Sequence, residues 1–152
     1  MNRILLLISL AAVLCSTAVA QKPIREWPFE GLSDFVNDYN KRRNGERLVV
    51  RDAPVPAKVI YEKAYAMYSF KPDEDGDVGK TFFTSPALAK ALRPHLKDGT
   101  ANLWITCTLI EFAGEFDTYR SPFATKIEGL NAVGETIWTV TGPPPARTKV
   151  RQ

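Results

Sequence analysis

The sequence predicts a mainly β domain with two short helices, and three observations carry that prediction. Segments of β-branched and aromatic residues recur between turn signals, at 47–51, 57–61, 101–112 and 135–141. Two stretches change to helical spacings of three or four, at Leu32, Phe35, Val36 and Tyr39 and at Leu88, Leu92 and Leu96. Finally, 45% hydrophobic and 24% charged residues in a chain of 152 are the composition of a folded globule with a single core. Two arrangements satisfy these elements. One is a small barrel of five or six antiparallel strands, and the other an open antiparallel sheet with the helices on one face, an α+β domain.

The N-terminus reads as an address. Met1 to Arg3 is a short cationic start, Ile4 to Leu14 is apolar apart from Ser9, and Ala18-Val19-Ala20 ends in small residues, the pattern of a secretory signal peptide cut after Ala20. The apolar run is shorter than the about 20 residues that span a bilayer, so no stable membrane span is expected after cleavage. A lipid anchor at Cys15 would need a small residue before it, where Leu14 stands. Cleavage leaves 132 of the 152 residues, lowers the formal charge from +3 to +2 by removing Arg3, and leaves Cys107 as the single cysteine. No internal disulfide is then possible, and the apolar neighbours of Cys107 predict an inert core thiol. The expected location is the bacterial periplasm, with extracellular release as the alternative.

The elements follow in order. Residues 21–32 hold two prolines and no period, an extended arm that packs through Trp27 and Phe29. Ser33 is placed as the N-cap of the first helix, which ends with Lys41-Arg42-Arg43 complementing its dipole and Asn44-Gly45 as its stop. From Arg47 to Phe70 a long strand bent by Pro54 and Pro56 leads into a second strand. Asp73 to Gly79 is an acidic turn; its aspartates are spaced like calcium ligands, but a calcium loop needs Gly at its sixth position and Glu at its twelfth, where Val78 and Thr84 stand. Lys80 to Thr84 is the next strand. Ser85 and Pro86 then open the second helix, which Pro94 bends or ends and Asp98-Gly99 stops. His95, the only histidine, has no ligand-spaced neighbour and reads as a surface or interface residue.

Ala101 to Phe112 is the most apolar strand, expected to be central and to bury Leu103, Ile105, Cys107 and Leu109. A strand within Thr118 to Ile127 and a last one at Glu135 to Thr141 follow, separated by Gly129 and Gly134. The single domain therefore covers residues 33–142, and the basic tail 143–152 is expected to be disordered.

This order places the helix Ser85 to Lys97 between the third and fourth strands of a five-strand plan, and sets a leading helix before Gly45-Glu-Arg-Leu-Val-Val50. In that layout the chain resembles secreted bacterial OB-fold-like domains over roughly residues 33 to 130. The resemblance implies that Leu88, Leu92 and Leu96 plug the mouth of a barrel. It also implies a ligand across the second and third strands. Pro54, Pro56 and the Trp138 strand depart from the plan.

That face carries Tyr61, Tyr65, Tyr68 and Phe70 among Lys58, Lys63, Lys71 and Lys80. Aromatic residues among cations are what an extended oligomer needs, whether single-stranded nucleic acid or oligosaccharide, although tyrosines at strand spacing also serve as half-buried packing. The expectation is an exported binding domain of unidentified ligand. Its alternative is a structural or assembly protein that holds an envelope protein through a strand edge or through Trp27-Pro28-Phe29. No catalytic constellation, metal set or cofactor motif stands out. Glu111 and Glu115 form the one carboxylate pair of interest, and they flank a turn.

Overall fold

Alternation decides the middle of the molecule. Leu103, Ile105, Cys107 and Leu109 are each buried to 1% or less, and the residues between them are half-exposed, as a period of two requires. The computed structural model describes residues 24–38, 44–73, 78–113 and 118–146. In chain order these form β1 (Arg25–Pro28), a 3-10 turn (Phe29–Gly31), α1 (Leu32–Asn37), β2 (Arg47–Ala53), β3 (Val59–Glu62) and β4 (Met67–Phe70). A 3-10 turn (Val78–Lys80), β5 (Phe82–Thr84), α2 (Pro86–Leu92), a 3-10 turn (Arg93–His95), β6 (Asn102–Ala113), β7 (Thr118–Leu130) and β8 (Thr136–Thr141) complete them.

The fold is mainly β with two short helices, as the sequence predicts. All eight described strands join one sheet in the order β1-β2-β6-β7-β5-β4-β3, and β8 also pairs with β7. The sheet is open, which agrees better with the open-sheet expectation than with a closed barrel of five or six strands. Nor is it wholly antiparallel, since β1 runs parallel to β2 and β5 parallel to β7. A bulge lets β7 serve two neighbours along one edge. The register with β6 shifts between Thr106 and Cys107, so Phe123 and Ala124 pair with β5 whereas Lys126 onward pairs with β8.

One face of the sheet carries the main core. Phe29, Leu32, Phe35 and Val36 cover it from the N-terminal segment, and Leu88 and Leu92 cover it from α2. A smaller cluster, Phe83, Phe112 and Phe123 with Tyr65, Met67 and Ile110 against it, lies apart from that core.

Several expectations need correction. The arm is extended and packs through Trp27 and Phe29, but its residues 25–28 are a sheet strand, with the Trp27 ring 4.4 Å from that of Phe35. Ser33 is not a cap. The 3-10 turn runs straight into α1, so Gly31 takes the cap position and Ser33 is buried inside the helix. The helix gives out at Asn37; the basic cluster 41–43 lies outside the described residues.

Residues 47–70 hold three strands rather than two, because Lys63 to Ala66 turn back, with Ala66 at φ 50°, and set β3 against β4. The strand expected at Lys80 starts at Phe82, since Lys80 belongs to a 3-10 turn. Gly129 lies within β7, not in the turn. Trp138 of β8 crosses directly over it, and a Cβ there would overlap the indole ring. By contrast α2 starts as predicted, with Ser85 Oγ accepting from Leu88 N at 3.3 Å, and it tightens to a 3-10 turn at Pro94. The signal segment 1–20, the acidic residues 74–77, Gly114, Glu115 and the tail 147–152 are outside the described residues. Among those described, no helix is long and apolar enough to cross a membrane.

Candidate functional site

Tyr61 and Tyr68 face each other across the β3–β4 ladder, so their rings meet, 5.2 Å apart and tilted by 59°. Tyr61 is 53% exposed and Tyr68 half-buried. The next strand places Thr84 opposite Tyr68, and the chain turns there into α2. The helix buries Leu88, Ala89 and Leu92, which leaves Lys90 and Arg93, three residues apart, at its exposed side. The Arg93 guanidinium lies 5.8 Å from the centre of the Tyr68 ring. Together Tyr68, Pro86, Ala89, Lys90 and Arg93 line an open depression of about 300 Å³.

The capping by Ser85 and the passage of the chain after β8 hold this helix in place. Gly142 N donates to Thr125 O at 2.8 Å, and a Cβ on Gly142 would meet Ser85 Oγ at 2.5 Å and Leu88 Cβ at 2.7 Å. The depression is open to solvent on its outer side. Two ring faces with two cations can take a flat apolar surface that bears acidic groups. Among the described residues neither cation has a carboxylate partner.

The eight residues singled out from the sequence are divided by the fold, and Lys71 is exposed just past the end of β4. Tyr61 and Tyr68 come together, with the exposed Lys58 and Lys63 flanking β3. Phe70 is 1% exposed and stacks on Phe82 at 5.3 Å, a core residue. Tyr65 stands edge-on to Phe83 and Phe112 at 5.3 and 5.0 Å, where it fastens the turn over the smaller cluster. Lys80 lies 3.5 Å from Asp73, 3.8 Å from Glu30 and 5.0 Å from the Phe29 ring centre, so it packs the N-terminal segment rather than facing a ligand. Sequence reasoning missed Lys90 and Arg93. Their spacing of three opposite the leucines was a signal, but which sheet face the helix meets is a long-range fact.

Other chemical groups are engaged elsewhere. Arg51 lies 4.6 Å from the Trp104 ring centre, but Glu26 holds it at 2.7 Å. Glu111 sits 3.5 Å from Arg120. Burial pushes the Cys107 thiol far above its ordinary pKa, which keeps it protonated and unreactive. His95 stacks on Trp138 at 4.2 Å, and its Nδ1 lies 3.2 Å from Asp98 Oδ2. Trp138 Nε1 donates to Thr100 Oγ1 at 3.0 Å, and Thr100 donates to Asp98. This clasp ties the end of α2 to β8. Among the described residues no group of three or more His, Cys, Asp or Glu is placed to hold a metal ion.

No family model, no curated protein and no solved structure matches this chain.

Proposed function

We propose that this chain is an exported binding domain that takes an acidic oligosaccharide across Tyr61, Tyr68, Lys90 and Arg93. The observation that carries the reading is the Tyr61–Tyr68 pair, half open to solvent and bordered by two cations without acidic partners among the described residues. Rings supply faces for sugar or base, and cations supply attraction to carboxylate or phosphate. Saccharide is preferred over nucleic acid because the predicted signal sends the chain out of the cytoplasm and because a net charge of +2 is small for a nucleic-acid binder.

An OB-like arrangement within the open sheet belongs to the same proposal. Its support is the neighbour order β2-β6-β7-β5-β4, with α2 entering just before β6 and the parallel β5/β7 contact. OB-type domains are partly open and bind on the face of their second and third strands, which here corresponds to the β3–β5 region.

The test is an amide NMR titration of the purified chain with an oligogalacturonate and, separately, with an oligothymidylate, each at low and physiological salt. Shifts confined to 58–70 and 86–93 with the uronate at physiological salt support the proposal. Such shifts with the oligothymidylate alone transfer the site to nucleic acid, and none with either removes the site.

A further inference from the structure

Among the described residues β3 is the last strand on its side of the sheet, so one row of its backbone N–H and C=O groups has no strand beyond it. Edges of this kind are ordinarily kept polar, yet here Ile60 is 44% and Tyr61 53% exposed. Lys58, one residue before β3, and Glu62, its last residue, stand two residues before and after Ile60, the spacing that puts extended residues on one face. Glu62 Oε1 accepts a hydrogen bond from Ser69 Oγ at 2.6 Å, which fixes its carboxylate on that face.

These positions are self-complementary. If a second β3 approaches antiparallel with Ile60 opposite Ile60, Lys58 of each strand falls opposite Glu62 of the other, and Val59 opposite Tyr61. Moving the register by one residue, to set Ile60 opposite Tyr61, would place Lys58 against Lys63 twice and turn every side chain to the other face. We propose that β3 pairs with β3 of a second copy of this chain in the Ile60-centred register, joining two sheets about a two-fold axis. A four-residue strand gives a small interface, so the dimer forms with concentration and is not permanent.

Sedimentation of the full chain over a wide concentration range tests this, with a doubling of mass expected as concentration rises. Lys58→Glu and Glu62→Lys each put like charges at both symmetric positions, and each is expected to weaken association roughly tenfold. An equimolar mixture of the two variants recreates both opposite-charge pairs, so a mixed dimer of parental affinity is expected. That recovery also requires both variants to be folded, and matching circular dichroism spectra check it independently. A parent chain that stays monomeric overturns the proposal. So do single variants that associate as tightly as the parent, or a mixture that stays monomeric while both variants are folded.

Discussion

The middle of the sheet and its β3 end are built from the same residue types to opposite effect. In β6, Leu103, Ile105 and Leu109 are completely buried, whereas in β3 Ile60 and Tyr61 are about half exposed. The difference lies in neighbours. β6 has β2 on one edge and β7 on the other, and its buried residues share the main core with those of both helices; among the described strands β3 has β4 alone. Apolar content therefore makes a strand, but only its place in the sheet decides whether that content stabilises the fold or is left for recognition.

The largest effect should come from the middle. Leu103→Ala leaves a cavity in the main core and is expected to cost about 2–5 kcal/mol of unfolding free energy in denaturant titrations. At Gly129, where Trp138 lies against the backbone, Gly129→Ala forces the indole aside and should cost about 1–3 kcal/mol by the same measurement. Ser85→Ala removes the cap of α2, with about 0.5–2 kcal/mol expected.

The clasp at the end of α2 gives a pH-dependent effect. Burial alone would raise the Asp98 pKa, but hydrogen bonds from the Thr100 hydroxyl and amide, from His95 and from Trp138 outweigh it and hold the carboxyl below its ordinary value. A group whose folded pKa is depressed contributes stability above its unfolded pKa and loses it as pH falls through the folded value. The stability difference between the parent and Asp98→Asn should thus be full near neutral pH and shrink below about pH 4, measured as unfolding midpoints across that range. Smallest of all on stability is Tyr61→Ala at the β3 end, within about 0.5 kcal/mol of the parent, while it removes uronate-induced NMR shifts. If Tyr61→Ala instead destabilises as much as Leu103→Ala, the contrast between the two regions fails.

Legibility in the sequence follows the same division. β6 could be read because its run of Leu, Trp, Ile and Phe is dense and alternates toward one buried face from Leu103 to Leu109, and α2 because Ser85-Pro86 is a strong start. β1 could not, since its strand exists through a parallel partner, β2, 23 residues on in the chain, and it ends in Pro28 with Pro23 just before it. At the candidate site, Tyr68 and Phe70 look alike in sequence and share one face of β4. Depth separates them: Phe70 meets Phe82 in the core, and Tyr68 lies at the rim below Arg93. Lys80 was indistinguishable from Lys58 and Lys63 until the 3-10 turn carried it between Asp73 and Glu30. Such assignments depend on partners distant in the chain.

Cys107 sits in β6 with Leu48 on one side and Ala124 on the other, 1% exposed. With Cys15 replaced by serine, a thiol reagent reaches its sulfur only once these strands part, so at reagent concentrations where trapping outpaces reclosing its rate is a clock for rupture of the sheet's centre. Fraying of the β3–β4 hairpin leaves that clock untouched, and the lifetime of the folded protein becomes measurable at a native atom without denaturant.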